Sequence, residues 1–173
     1  FTPAPVEAKA ISLLGQQVPF GIDLLFCCRE LPEYKLAVEI CEDLWVALPP
    51  STRHAMAGAT VIANCSASDE TIGKAEYRRE LITGQSARLM AGYLYADAGR
   101  GESTTDMVFA GHDLIAENGR LLAETALFTN EMIVTEIDVH RLTAERRRTN
   151  TWRAADSAGY TIIPFSLPAE VTT

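Results

Sequence analysis

Residues 36–45 read Leu36-Ala37-Val38-Glu39-Ile40-Cys41-Glu42-Asp43-Leu44-Trp45. The mostly apolar segment Leu36–Ile40 predicts a buried strand that ends at Cys41 and is followed by two carboxylates. Open α/β sheets place catalytic side chains at the carboxyl ends of their strands. This position makes Cys41 the candidate nucleophile of an enzyme.

The residue type alone leaves two interpretations of Cys41 open. A nucleophile at this position needs a neighbouring cation or base, because a free thiol titrates near about 8.5 and the adjacent Glu42 and Asp43 disfavour the thiolate. A structural cysteine needs no such partner, since buried cysteines are often small hydrophobic residues.

The other cysteines, Cys27, Cys28 and Cys65, lie in or just after apolar segments and are predicted to pack. The sequence has no CxxC pair and no histidine at metal-ligand spacing from a cysteine, so we predict no metal site. No export signal opens the chain, and we therefore expect reduced thiols and a cytoplasmic location.

Strands and helices are predicted to alternate around the candidate nucleophile. An apolar strand is expected over 17–28, and Pro49-Pro50-Ser51 offers an N-cap for a helix through Met56 that Gly58 can end. A strand, Thr60–Ala63, follows, and a long amphipathic helix with a soft spot at Gly84 is expected over 74–92. This order is typical of a β-α-β unit.

The second half of the sequence predicts a meander of short strands and a closing helix, Asp138–Arg148. The predicted strands are Tyr93–Ala98, Met107–Ala110, Asp113–Ala116, Leu121–Glu124 and Met132–Ile137, with a hairpin turn at Glu117-Asn118-Gly119-Arg120. We therefore predict an α/β fold with a mixed sheet. Residues 1–5 are predicted to form a loop, and residues 157–173 a linker or arm rather than a packed element.

The composition is that of a folded globular protein. The 173 residues are 47% hydrophobic and 22% charged, and no apolar run approaches the ~20 residues needed to span a bilayer. The net charge of -8 argues against nucleic acid as a partner. The basic run Arg146-Arg147-Arg148 is interpreted as a solvated helix face.

A polar loop over 64–74 follows the strand after Cys41 and reaches the same sheet edge if the two strands are parallel. Such loops often contact ligands, and Ser68 or Lys74 could hold the carboxylate or amino group of a small substrate. Helix capping alone would also explain Ser66, Ser68 and Asp69, so the local pattern leaves this choice open.

Several stretches together resemble one family, the glutaminase domain of glutamine-dependent NAD synthetases. They are Glu39-Ile40-Cys41-Glu42-Asp43-Leu44-Trp45, Gly58-Ala59-Thr60-Val61-Ile62-Ala63-Asn64, Ser66-Ala67-Ser68-Asp69-Glu70-Thr71-Ile72-Gly73-Lys74 and Gly101-Glu102-Ser103-Thr104-Thr105-Asp106. The resemblance implies a nitrilase-like α-β-β-α sandwich with mixed sheets, incomplete in this chain. It also implies hydrolysis of glutamine through a cysteine thioester, with the ammonia channelled to a synthetase domain that amidates deamido-NAD.

The resemblance assigns roles to four residues. Cys41 matches the nucleophile of a Glu-Lys-Cys triad, Ser68 and Lys74 match positions that contact glutamine, and Glu42 follows the nucleophile as in the family and is grouped with the substrate-binding residues. No cofactor is implied for the glutaminase part, because ATP and Mg would belong to the synthetase domain. The implied partners are glutamine, that synthetase domain and further copies of the chain.

The triad glutamate and lysine lie upstream of the cysteine in this family, before Phe1 of this chain. Lys35 and Glu39 are neighbours of Cys41 on one strand and are not assigned those roles. We expect residues 1–156 to be the C-terminal portion of the amidohydrolase domain, residues 157–173 to lead toward an absent synthetase domain, and the fragment to be inactive alone. Two alternatives are a Cys-His amidohydrolase using His112 or His54, and a non-catalytic assembly module.

Overall fold

The computed structural model describes residues 9–102, 106–153 and 155–167. Nine strands and three α-helices are found there, together with a 3₁₀ helix, Cys41–Trp45, that follows β4. In chain order they are β1 (Ala10–Leu13), β2 (Gln16–Pro19), β3 (Leu24–Cys28), β4 (Lys35–Ile40), α1 (Pro50–Met56), β5 (Val61–Ser66), α2 (Lys74–Leu89), β6 (Gly92–Asp97), β7 (Leu114–Glu117), β8 (Arg120–Glu124), α3 (Val139–Arg148) and β9 (Thr161–Phe165).

Seven strands form one mixed sheet in the order β8-β7-β6-β5-β4-β3-β9. The neighbours β4, β5 and β6 are parallel, as are β3 and β9, and the remaining neighbours are antiparallel. The register aligns Ile40 with Cys65 and Ser66 with Asp97. The carboxyl ends of β4, β5 and β6 therefore meet at one edge of the sheet.

Helices α1 and α2 cover one face of this sheet and form the core with it. Alternation along the strands sends the other side chains to the opposite face, where Val38, Ile40 and Cys65 are exposed. The buried strand residues of the helix-covered face are Leu25, Ala37, Ile62, Tyr93, Tyr95, Leu114 and Ala116. The mixed α/β architecture is confirmed, and within the described residues it consists of the seven-stranded sheet with helices on one of its faces.

Local signals predicted most of the central elements correctly. The strand before Cys41, the helix that becomes α2 and the hairpin between β7 and β8 are confirmed. Both turn residues of that hairpin, Asn118 and Gly119, have positive φ, as a type I′ turn requires. At α3 the Asp138 side chain accepts a hydrogen bond from the Arg141 backbone N–H at 2.8 Å and caps the helix.

Two predictions in the first part of the fold are wrong in detail. The strand expected over 17–28 is divided, because β2 pairs with β1 in a separate two-stranded sheet and the chain bends at Gly21 before β3. Ser51 lies inside α1 rather than at its cap, which is Pro49. The Ser51 backbone N–H instead donates to the Glu39 carboxylate at 2.7 Å.

Two further predicted strands do not form. In the segment 107–110 the structure has an isolated bridge between Phe109 and Asp69, and residues 132–137 have no strand partner. Within 132–137 the side chain of Ile137 packs against Gly92 of β6, whereas Met132 and Val134 are exposed.

The tail also differs from its prediction, because residues 161–165 form β9. This strand pairs in parallel with β3 and extends the sheet, and the Thr161 N–H donates to the Asp23 carbonyl at 2.8 Å. The expectation of no packed element is therefore corrected for these residues, while the domain boundary after 156 stays a prediction.

The predicted loop 1–5, residues 168–173 and residues 103–105 of the family motif lie outside the described residues. Where the chain is described, no helix has the length and apolarity to cross a membrane.

Candidate active site at the carboxyl edge of the sheet

Cys41 adopts an unusual backbone conformation where β4 turns into the 3₁₀ helix. Its φ is 51°, in the left-handed region that side-chain-bearing residues seldom occupy. Such a conformation costs on the order of 1–3 kcal/mol and persists where the surroundings enforce it. The half-buried thiol is thereby presented on a sharp turn at the sheet edge.

Asn64, at the same level on the neighbouring strand β5, holds this turn. Its Oδ1 accepts a hydrogen bond from the Cys41 N–H at 3.1 Å, and its Nδ2 donates to the Cys41 carbonyl at 3.3 Å. Asp43 adds a third restraint, since its Oδ2 accepts from the Ile40 N–H at 2.8 Å. The side chains of Asn64 and Asp43 therefore fix the backbone from the Ile40 N–H to the Cys41 carbonyl.

Asn64 also belongs to a buried polar network with Tyr93 and Glu39. Asn64 Nδ2 also lies 3.4 Å from the Tyr93 hydroxyl, which donates to the Glu39 carboxylate. Burial raises the pKa of Glu39 and raises that of Tyr93 well above its ordinary value. No hydrogen bond joins Glu39 to the Cys41 thiol in the described part of the chain, and Glu39 acts in this network as a buried support.

Ser68 lies beside this edge, just after β5, and is almost fully buried. Its backbone N–H donates to Asp97 Oδ1 at 2.8 Å, and its Oγ accepts from Arg78 Nη2 at 3.2 Å. Arg78 is fully buried and also donates to Glu70 at 3.0 Å and contacts His112 Nδ1 at 2.8 Å. Ser68 is therefore held by charged groups from β6 and α2.

Two polar atoms of this cluster have no hydrogen-bond partner among the described residues: Asp97 Oδ2 and Arg78 Nε. Burial raises the pKa of the Asp97 carboxyl group, which disfavours its charged form. Unsatisfied buried polar atoms are uncommon in native proteins, and an ordered water or another bound group often supplies the missing partner.

Lys74 begins α2 and links this helix to the segment that follows Cys41. Its ammonium donates to Asp69 at 2.6 Å and lies 5.5 Å from the centre of the Trp45 ring. The Trp45 ring in turn packs 5.4 Å from that of Tyr77. Through these contacts Lys74 and the 3₁₀ helix that begins at Cys41 lie side by side, while Glu42 is exposed and has no hydrogen bond or ion pair where the chain is described.

The structure thus brings the candidate residues to one place and separates others from it. Cys41, Ser68 and Lys74 belong to the carboxyl edge, with Glu42 at its surface. Lys35 lies at the opposite end of β4, roughly 20 Å from Cys41 at the usual rise of a strand. No group of three or more metal-binding side chains occurs in the described ranges.

The two histidines of the Cys-His alternative are occupied elsewhere. His112 Nε2 lies 2.6 Å from Glu124, whose carboxylate is also bound by Arg79. Burial opposes ionisation of Glu124, yet the hydrogen bonds from Arg79 and His112 hold its pKa below the ordinary value. His54 Nδ1 lies 2.9 Å from the Tyr160 hydroxyl. Neither ring contacts a cysteine among the described residues, and the Cys-His alternative gains no support.

Sequence reasoning missed three residues of this edge: Asn64, Asp97 and Arg78. The first two lie near the carboxyl ends of β5 and β6, so the rule that placed Cys41 could have identified them. Arg78 gave no such signal, because a charged residue on a helix is usually solvent-exposed.

The comparisons with known proteins give relatives of one kind. No protein-family model matches the chain. Glutamine-dependent NAD(+) synthetases from Mycobacterium bovis and Mycobacterium tuberculosis are 49% identical over 152 residues, which is 87% of this chain and 22% of the relative. The Drosophila melanogaster protein of the same name is 34% identical over 84% of this chain and 19% of its own length. The chain therefore spans about a fifth of the curated relatives it matches.

Solved structures agree with these sequence matches. A glutamine-dependent NAD(+) synthetase from Cytophaga hutchinsonii superposes with a TM-score of 0.60 at 30% identity, covering 75% of this chain and 20% of that one. A Saccharomyces cerevisiae member of the nitrilase superfamily gives a TM-score of 0.59 at 18% identity, covering 87% and 48%. The second match shows likeness of fold alone.

Proposed function

Because this chain is homologous to glutamine-dependent NAD(+) synthetases and has the fold of nitrilase-superfamily domains, we propose that it forms part of a glutamine amidohydrolase whose nucleophile is Cys41. One observation carries the choice of nucleophile: Cys41 has a left-handed φ at the end of a strand, and Asn64 hydrogen-bonds to both its N–H and its carbonyl. A packing cysteine needs no strained backbone, whereas a nucleophile gains a fixed and accessible direction of attack from it.

The reaction would proceed through a thioester. The thiol proton passes to a general base as Cys41 Sγ bonds to the amide carbon of glutamine. The base then gives this proton to the amide nitrogen, the C–N bond of the tetrahedral intermediate breaks, and ammonia leaves. Water then attacks the thioester carbon, releases glutamate and returns the thiol. The developing oxyanion requires a positively charged or N–H donor near the amide oxygen.

We assign the general base and the oxyanion-stabilising lysine to residues beyond those described. Glu39 is committed to Tyr93 and to the Ser51 N–H, and Lys35 is at the far end of β4. Triad members act as a unit, so the 173-residue chain without such partners would have little activity.

Ser68 and Lys74 are proposed to contact the glutamine substrate. The rigid mounting of Ser68 by Asp97 and Arg78 suits a hydroxyl that orients a ligand. The Lys74 ammonium is paired with Asp69 and could exchange that carboxylate for the α-carboxylate of glutamine. Exposed Glu42 is placed to meet the substrate amino group.

The remainder of the protein is proposed to complete the domain and to use the ammonia. A second sheet would cover the exposed apolar face at Val38, Ile40 and Cys65, as a sandwich requires. Ammonia would pass to a synthetase domain that uses ATP and Mg to amidate deamido-NAD. We propose cytoplasmic homo-oligomers as the working form, with neither nucleic acid nor membrane as a partner.

One observation favours a second candidate function, an assembly module without catalysis. The exposed apolar face of the sheet is a surface that can bind another polypeptide whether or not Cys41 reacts. This candidate differs from the first in predicting that Cys41 is dispensable.

The experiment is ammonia release from glutamine by a polypeptide extended upstream of Phe1, compared with its Cys41→Ala and Cys65→Ala variants. We expect activity in the extended polypeptide and in Cys65→Ala, and its loss in Cys41→Ala. Undiminished activity in Cys41→Ala would refute the assignment, and no activity in any form would favour the assembly module.

A further inference from the structure

An open cavity of about 610 Å³ lies at the amino-terminal ends of β4 and β5. This is the edge of the sheet opposite to the carboxyl edge that holds the candidate active site. Its lining includes residues that precede β4, residues around the α1–β5 connection, the last turns of α3 and the segment that follows α3. The volume is within the range of about 300–1,000 Å³ that is usual for small-molecule sites.

The cavity is strongly basic. Four of its lining residues are cationic: Lys35, Arg146, Arg147 and Arg153. The acidic residue of the lining, Glu33, lies 3.8 Å from His140. Within the part of the chain that the structure describes, none of the four cations forms an ion pair.

Arg146 makes this excess of charge unusual, because it is buried rather than on a solvated helix face as the sequence suggested. Its Nε and Nη2 donate to the carbonyls of Leu89 and Met90 at the end of α2, and the guanidinium stacks 4.7 Å from the Trp152 ring. These partners satisfy hydrogen bonds but carry no full negative charge. Burial lowers the pKa of Arg146 to about 10, the expected effect of a desolvated cation without a counter-ion.

We propose that this cavity is a binding site for a small molecule that carries two or more phosphate groups, held by Lys35, Arg146 and Arg147. A monocarboxylate would leave most of the positive charge uncompensated, whereas a di- or triphosphate would match it. The adjoining Trp152 ring offers an apolar surface to the rest of such a ligand.

The site is independent of the glutaminase chemistry. Lys35 begins the strand that ends next to Cys41, so the two sites lie roughly 20 Å apart along β4. Binding should therefore be unchanged in Cys41→Ala, and failure of either proposal leaves the other standing.

The test titrates the 173-residue chain with inorganic pyrophosphate at low ionic strength by calorimetry. The variants are Lys35→Gln and Arg147→Gln, and the matched control is Arg148→Gln, which removes the same charge from the next position of α3. Arg148 is exposed, pairs with Glu145 at 3.2 Å and does not line the cavity. We expect each cavity variant to weaken binding about 10-fold, which corresponds to about 1.4 kcal/mol, because each removes a charged hydrogen-bond donor from the ligand site. The control should stay within about 2-fold of the parent.

A second readout does not depend on substitutions. The sequence has two tryptophans, so a ¹H–¹⁵N spectrum contains two indole N–H signals. Pyrophosphate should shift the signal of Trp152 and leave that of Trp45, which lies by the candidate active site, unmoved.

Three outcomes would overturn the proposal. The first is no binding up to roughly 10 mM pyrophosphate, and the second is an equal loss in Arg148→Gln and Arg147→Gln, which would indicate general surface charge. The third is binding to a glutamate-rich peptide without binding to pyrophosphate, which would assign the cavity to an acidic protein segment.

Discussion

Asn64 holds Cys41 through both of its backbone polar groups: Oδ1 accepts from the Cys41 N–H at 3.1 Å, and Nδ2 donates to the Cys41 carbonyl at 3.3 Å. The two residues lie at the carboxyl edge of adjacent parallel strands, so the sheet register fixes their meeting. The strained turn that presents the thiol is therefore part of the sheet.

Replacing Asn64 by alanine should destabilise the protein by about 2–3 kcal/mol, because it leaves two backbone groups of Cys41 unpaired next to a buried site. The measurement is urea unfolding of the variant against the parent chain. Asn150→Ala, at an exposed position, is the control and should change stability by less than about 0.5 kcal/mol. Equal stability of the Asn64→Ala variant and the parent would mean that the two hydrogen bonds of Asn64 do not hold the turn at Cys41.

The left-handed φ of Cys41 predicts that glycine is more stabilising than alanine at this position, the reverse of their usual order. Cys41→Gly should be more stable than Cys41→Ala by about 1 kcal/mol, because glycine adopts this φ without strain. At Ala75, inside α2, substitution by glycine should instead cost about 1 kcal/mol. Thermal unfolding of the three variants measures both differences, and a Cys41→Ala variant more stable than Cys41→Gly would contradict the strained turn.

Two glycines should respond in opposite directions to alanine. A Cβ on Gly92 would lie 2.8 Å from Ile137 Cδ1, so Gly92→Ala should cost about 1–3 kcal/mol, and Ile137→Ala should make that cost smaller in a double-mutant cycle. At Gly84, in the interior of α2, a Cβ would have no atom within 4 Å other than its chain neighbours and the nearby backbone of the same helix. Gly84→Ala should therefore stabilise the chain by up to about 1 kcal/mol. An additive cycle would show that Ile137 is not the obstacle.

Burial of Asp97 predicts a pH-dependent effect on stability. The pKa of Asp97 is raised in the folded state, so above about pH 4, the ordinary pKa of an aspartate, the folded protein binds more protons than the unfolded one. The protonated carboxyl group therefore stabilises the fold at low pH, and this contribution is lost as the pH rises through the folded-state pKa. Asp97→Asn removes the titration. Its stability relative to the parent should rise between pH 4 and pH 7, as measured by urea unfolding at each pH. A difference that stays constant with pH would exclude the raised pKa.

Exposure of Cys65 tests the proposed completion of the sandwich. In the 173-residue chain iodoacetamide should modify Cys65 at least about 10-fold faster than the buried Cys28, as followed by peptide mass spectrometry. In the polypeptide extended upstream, a second sheet should slow the modification of Cys65. An unchanged rate there would mean that this face of the sheet stays open.

Local sequence patterns were sufficient for the elements that position the candidate nucleophile Cys41. An apolar run ending at a cysteine predicted β4, and Asn118-Gly119 predicted the hairpin, because both depend on neighbours in sequence. The same reasoning placed Cys41 at the carboxyl edge. The mixed sheet followed from the order of strands and helices.

Features that depend on distant partners could not be predicted from those patterns. Strand β9 forms because β3 offers it a free edge. The sequence in and around β9 contains Gly159, Pro164 and Pro168, which suggested a linker. Arg78 and Arg146 are buried although charged helix residues usually face solvent, since one meets Glu70 and the other caps α2.

The most direct test of the central claim is to trap the acyl-enzyme. The extended polypeptide is mixed with glutamine, quenched in acid and digested, and the peptide that contains Cys41 is examined for a γ-glutamyl thioester. The account predicts the adduct on Cys41 and its absence in Cys41→Ala, together with loss of ammonia release. Ammonia release at the parent rate by Cys41→Ala, or a thioester found on another cysteine, would contradict it.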